Sequence, residues 1–99
     1  MGVESSAPIT TFGLGPVWPQ PVPLNGEARI SVTVPAGEYV RLVLYDALGR
    51  EVAVLREGVV EEQDRIVRLA PAAYRLTPGL YLLRMIGAGG QAVRGVVVR

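Results

Sequence analysis

The sequence predicts an all-β fold, an antiparallel β-sandwich of about seven strands with Greek-key connections, on three observations. Apolar and polar residues alternate with the two-residue period of a strand, most clearly in ARISVTV at residues 28–34. Turn residues interrupt the apolar runs at roughly 8 to 12 residue spacing, which is typical of small sandwich domains. No stretch shows the 3.6-residue period of an amphipathic helix.

The first predicted strands lie between turns of Pro and Gly. Pro35-Ala36-Gly37 ends the strand at residues 28–34, and a second strand is predicted at residues 40–46. Ala47-Leu48-Gly49 then forms a tight turn into a strand at residues 50–56, so these two strands are predicted to form a hairpin.

The second half of the chain continues this alternation of strands and turns. A solvated acidic connection is predicted at residues 57–64 and a strand at residues 65–70. A proline-bounded crossover at residues 71–79 leads to a strand at residues 80–86. A glycine turn at residues 87–90 then leads to the final strand at residues 91–98.

The beginning of the chain differs in composition. Residues 1–27 are rich in Pro, Gly and Ser and predict a linker that leads into an edge strand, because proline removes the donors that a sheet needs. We place the domain at residues 15–99 and interpret residues 1–14 as a linker or an artificial leader. The start Met1-Gly2 fits an artificial leader, and we expect the chain to be a piece of a longer protein.

One tyrosine favours the immunoglobulin-like version of the sandwich. Tyr81 begins the penultimate strand, two residues after Gly79. A tyrosine there can bury its ring and return its hydroxyl to upstream backbone, as a tyrosine corner does. Leu83 would then occupy the place of the second cysteine of antibody domains. A plain core tyrosine is the alternative.

The composition excludes most catalytic templates. The 99 residues include no His, no Cys and no Lys, so the commonest general base and two nucleophiles are missing. We therefore expect no enzyme activity and no cofactor. Glu61, Glu62 and Asp64 offer a weak cation site, but a solvated charge run is the favoured interpretation. The net charge of +1 argues against a nucleic-acid partner.

Apolar residues also occupy positions where a sandwich normally carries polar ones. Val43, Tyr45, Val96 and Val98 are predicted on outer faces, which indicates a contact with another domain or chain, or an oligomer. Strands buried on both sides are the alternative. Four aromatic residues suggest a sugar platform, although packing within the sheets is favoured. They are Trp18, Tyr39, Tyr45 and Tyr74.

Several blocks together resemble the C-terminal sorting domains of the bacterial type IX secretion system and, more distantly, the immunoglobulin-like domain of hook-capping proteins. The blocks are VWPQPVP, VRLVLYDALGREVAVL, LTPGLYLLRM and AVRGVVVR, in that order over residues 15–99. The matching positions are Tyr45, Asp46, Gly49 and Arg50 of a YDxxGRxV pattern, Leu76, Gly79 and Tyr81 of an LxxGxY pattern, and Pro19 and Pro21 of a YPNP pattern. Trp18 and Gln20 depart from the last pattern.

The resemblance implies a targeting module and not a catalyst. It implies passage through the periplasm, recognition by an outer-membrane translocon and a place at the cell surface or in the medium, behind a covalently linked upstream cargo domain. The residues that it implies for recognition are Val93, Arg94, Gly95, Val96, Val97, Val98 and Arg99. The alternative functions are a carbohydrate-binding or spacer domain of a secreted hydrolase or adhesin.

Overall fold

The computed structural model describes residues 12–60 and 64–99, which form seven strands and one short 3-10 turn. The strands are β1 (Gly13–Trp18), β2 (Ala28–Thr33), β3 (Tyr39–Asp46), β4 (Glu51–Val59), β5 (Asp64–Leu69), β6 (Gly79–Gly87) and β7 (Gly90–Val98). The 3-10 turn, Pro71–Tyr74, lies in the crossover between β5 and β6. None of the helical structure within the described ranges is long and apolar enough to cross a membrane.

The strands form two antiparallel sheets, which we call the first and the second sheet. The first sheet has the order β1-β2-β5 and the second the order β4-β3-β6-β7. The β3–β4 hairpin lies within the second sheet, and β4 precedes the crossing to β5 in the first sheet. This arrangement confirms the predicted immunoglobulin-like sandwich of seven strands.

The core fills the space between the two sheets with the inward residues of each strand. In β2 the buried residues Ala28, Ile30 and Val32 alternate with polar neighbours, as the sequence predicted. Leu42 and Leu44 of β3 face them from the second sheet and are fully buried. Each fully buried aliphatic side chain of this kind contributes about 1.5–3 kcal/mol relative to exposure.

Two elements differ from the sequence prediction. The predicted solvated connection is wrong over residues 57–59, because β4 continues to Val59 and pairs with Tyr39 of β3. Within the proline-rich start, β1 begins at Gly13 and is a strand of the first sheet, with an irregular register between Leu14 and Val17. That irregularity accommodates Pro16, which has no backbone donor.

The possible cation site remains a prediction. Glu61 and Glu62 lie outside the described residues, and so does the side chain of Asp64. Elsewhere in the described ranges there is no group of three or more acidic residues that would hold a metal ion.

Candidate interaction surface

The YDxxGRxV residues build the turn between β3 and β4. The Asp46 carboxylate accepts hydrogen bonds from the backbone N–H groups of Leu48 and Arg50, both at 2.9 Å, and from Arg50 Nε at 2.8 Å. These bonds lower the pKa of Asp46, with the Arg50 backbone bond as the main cause. Gly49 has a φ of 85°, which favours glycine. The motif is therefore a self-contained structural turn.

The LxxGxY residues build a tyrosine corner beside that turn. The Tyr81 ring is buried, and its hydroxyl donates a 2.6 Å hydrogen bond to the carbonyl of Thr77 and accepts one from the Thr77 N–H at 3.1 Å. Tyr81 pairs with Asp46 across β6 and β3, so both motifs lie at the same end of the second sheet. Leu83 is fully buried, as its predicted core position requires.

The segment after β1 covers half of the free edge of β7. The side-chain carbonyl of Gln20, which lies between Pro19 and Pro21, accepts a 2.6 Å hydrogen bond from Val97 N–H. Val22 then pairs in parallel with Val98, donating to Val97 O at 2.7 Å and accepting from Arg99 N–H at 2.9 Å. The proline-rich segment is thus part of the domain and closes the end of its last strand.

The free half of that edge lies toward the β6–β7 hairpin. In an antiparallel pair, the backbone groups of alternate residues point away from the partner strand. Val97 points away from β6, so Val93 and Gln91 do the same. Among the described residues, no backbone group bonds to this stretch from outside the sheet.

The outward face of the second sheet carries more than half of the large exposed apolar residues of the described ranges. We call it the outer face. Its members alternate with inward-facing residues along β3, β6 and β7, whereas two register irregularities between β3 and β4 space Glu51, Val54 and Glu57 three residues apart. They are Glu51, Val54, Glu57 and Val59 of β4, Tyr39, Arg41, Val43 and Tyr45 of β3, Leu80, Leu82, Arg84 and Ile86 of β6, and Gln91, Val93, Gly95 and Val97 of β7. Leu80 is 60% exposed and Val93 49%.

The sequence predicted this surplus of apolar surface but assigned it partly to the wrong residues. Val96 and Val98 are buried core residues of β7, so their prediction as outward residues is wrong. Val93 and Val97, which alternate with them, are the exposed ones. Val43 does lie on the outward side of β3, but its neighbours cover it completely.

Charged residues on the outer face are paired with one another over β3 and β4. Arg41 Nη2 contacts both carboxylate oxygens of Glu51 at 3.1 and 3.2 Å, and its Nε lies 3.5 Å from Glu57. The Tyr39 hydroxyl donates a 2.6 Å hydrogen bond to Glu57, which raises the pKa of Tyr39. Among the described residues, Arg84 has no acidic partner and donates to Gln91 at 2.9 Å.

An open groove crosses the outer face where β7 has a glycine. A Cβ built on Gly95 would meet nothing within 4 Å, so this position leaves a gap beside Leu82. The groove has a volume of about 530 Å³ and is lined mainly by Tyr45, Leu80, Leu82 and Gly95. It offers an apolar depression to a side chain from a partner.

The predicted recognition residues divide into three groups. Val93, Gly95 and Val97 lie on the outer face, whereas Val96 and Val98 are in the core. The other two bind the rest of the domain. Arg94 donates to Leu14 O in β1 at 2.8 and 2.9 Å, and the Arg99 backbone pairs with Val22 and Leu24.

The four aromatic residues do not form one platform. Trp18 belongs to β1 of the first sheet and is 69% exposed, and Tyr74 belongs to the 3-10 turn. Tyr39 and Tyr45 lie at opposite ends of β3, which separates them by about 20 Å at the rise of a strand.

Leu80, Leu82 and Gln20 are among the surface residues that the sequence alone did not single out. The run LYLLRMI shows the first two, because its outward positions are as apolar as its inward ones. The sequence gives no such indication for Gln20, because its side chain reaches Val97 only through the path that the backbone takes after β1. Comparisons with protein-family models, with curated proteins and with solved structures find no match.

Proposed function

We propose that the chain is a non-catalytic C-terminal sorting module, which an outer-membrane translocon of the type IX system recognises and which delivers an upstream cargo domain to the cell surface. The observation that carries the proposal is the outer face, an exposed apolar surface that includes the outward side of the last strand. A stable domain exposes such a surface mainly where another protein binds.

The residue types and their positions support binding over catalysis. The motif residues Asp46 and Tyr81 use their polar groups in the hydrogen bonds of the turn and the corner, so neither is free to act on a substrate. Val93 and Val97 are exposed on the outer face, and Val93 lies in the half of the β7 edge that Gln20 and Val22 leave open. An exposed edge and an apolar face are together suited to recognition by a second protein.

The test is export of a reporter protein. A reporter with a periplasmic signal peptide is fused ahead of the chain and expressed in a bacterium that has the type IX system and in its translocon-deficient mutant. We expect the reporter at the surface or in the medium of the first strain and in the periplasm of the second. Cell fractionation and protease accessibility measure the difference.

Point variants then test the outer face. Replacing Val93 and Val97 together by Thr keeps the β-branched shape and makes the surface polar, so we expect export to fall by about tenfold while thermal stability is retained. The matched control is Ile66→Thr, because Ile66 is 62% exposed on the outward side of the first sheet. Equal export from both strains, or an equal loss from the control, would contradict the proposal.

A further inference from the structure

The outer face has the size, charge and shape needed to bind a second copy of the same chain. We propose that two chains associate through their outer faces as a symmetric dimer, with the twofold axis parallel to the strands and between β3 and β6. This inference goes beyond the proposed function and does not rest on it. Because the dimer buries the outer face, the two chains would have to separate before a translocon could bind that face.

The size of the outer face is sufficient for a dimer. Four strands about 4.8 Å apart, with nine residues that rise about 3.3 Å each, give a face of about 19 by 30 Å. Two such faces bury about 1,100 Å² in total, which is above the ~1,000 Å² that a specific interface needs. The apolar groove at Gly95 covers only part of this area and would be too small by itself.

The charge of the outer face favours a copy of itself over a charged partner. Arg41 and Arg84 balance Glu51 and Glu57, so the face carries 2 − 2 = 0 net charge. A neutral face does not repel its own copy and does not attract nucleic acid or an anionic membrane. In contrast, the first sheet presents Arg29 and Arg68 directly opposite each other.

The strand register shows which residues the axis would bring together. An axis between β3 and β6 places β4 of one copy over β7 of the other, with the same cross-strand row in contact. One row runs through Glu57, Arg41, Ile86 and Gln91, so Glu57 faces Gln91 of the second copy. Arg84 donates to Gln91 within its own chain, so its guanidinium also lies opposite Glu57 of the second copy. Each Arg84 therefore gains the Glu57 of the other copy.

The remaining rows are also complementary. In the row through Val54, Val43, Arg84 and Val93, the exposed Val54 faces Val93 of the second copy. In the row through Glu51, Tyr45, Leu82 and Gly95, Tyr45 faces Leu82 and the long side chain of Glu51 faces the gap at Gly95. Thus two apolar pairs form, Val54 with Val93 and Tyr45 with Leu82, while Arg84 lies over the covered Val43 and the aliphatic stem of Glu51 lies over the groove.

Sedimentation equilibrium of the purified 99-residue chain tests the dimer. We expect a monomer–dimer equilibrium, and Leu82→Arg should raise the dissociation constant by about thirtyfold or more, because it buries an unpaired charge. Ile66→Arg, on the first sheet, should leave the constant unchanged. Circular dichroism of each variant verifies that it is folded.

A charge exchange identifies the partner as a second copy. Arg84→Glu and Glu57→Arg should each prevent association alone, since each places like charges opposite one another. An equimolar mixture should restore the dimer, because both contacts become opposite in charge. A chain that stays monomeric to millimolar concentration, a dimer that Leu82→Arg leaves intact, or a mixture that fails to associate would overturn the inference.

The dimer and the proposed function fail separately. If export does not depend on the translocon but the chain is dimeric, only the proposed function is wrong. If export depends on the translocon but the chain is monomeric in solution, only the dimer is wrong. The outer face would then bind a partner other than a second copy.

Discussion

At the scale of single residues, the Asp46 carboxylate links the fold to pH. Its pKa is lower in the folded chain than the ordinary value of about 3.9 for an unfolded aspartate. The folded state therefore binds a proton less readily than the unfolded state, and the carboxylate stabilises the fold above the unfolded pKa. This stabilisation is lost as the pH falls through the depressed pKa of the folded state.

Asp46→Asn should accordingly be less stable than the parent chain at pH 7, because an amide accepts more weakly from the Leu48 and Arg50 backbone and loses the ion pair. The difference should shrink as the pH falls below about 4. Urea unfolding at a series of pH values measures it. A difference that is constant from pH 7 to pH 3 would show that the charge of Asp46 does not matter to the fold.

Tyr81→Phe tests the tyrosine corner without changing the packing of the ring. The substitution leaves the carbonyl and the N–H of Thr77 without their partner, and we expect a loss of about 1–3 kcal/mol in the free energy of unfolding. Chemical denaturation compares it with Tyr45→Phe, because the hydroxyl of Tyr45 forms no hydrogen bond with the described residues. If both variants lose equal stability, the corner bond contributes nothing specific.

At the scale of elements, the sequence predicted strands correctly where residues alternate strictly or where a clear turn separates two apolar runs. ARISVTV alternates strictly and corresponds to β2, and the turn at 47–49 correctly predicted the β3–β4 hairpin. In β1, Gly and Pro hide the pattern, and only pairing with β2 makes it a strand. The continuation of β4 to Val59 likewise depends on pairing with β3. The residue types of the acidic run do not reveal that pairing.

The orientation of β7 shows a second limit of sequence patterns. GVVV has apolar residues at successive positions, so a period of two fits either face. The register with β6 decides between them, since Tyr81 pairs with Val96 and Leu80 with Val97. The existence of a surplus apolar face was thus predictable from composition, while its exact residues depended on strand pairing.

At the scale of the whole molecule, the two sheets have unequal exteriors around one shared core. The first sheet presents Arg29, Ser31 and Arg68 outward beside Trp18 and Ile66, and the second presents the more extensive apolar outer face. The same last strand serves both the core, through Val96 and Val98, and the outer face, through Val93 and Val97. Core packing and exposed apolar surface are therefore separated by the side of the strand and not by position along the chain.

Deleting residues 91–99 should consequently abolish cooperative folding and not only remove the outward residues of β7. The two fully buried valines alone represent about 3–6 kcal/mol of burial, against a total stability of about 5–15 kcal/mol for a domain of this kind. The deletion also exposes the whole edge of β6 and removes the partners of Gln20 and Val22. We expect the truncated chain to lose its sharp thermal transition by circular dichroism, whereas the Val93 and Val97 double variant keeps it. A truncated chain that still melts cooperatively would mean that β7 is a dispensable appendage, and export lost on its removal would then report recognition directly.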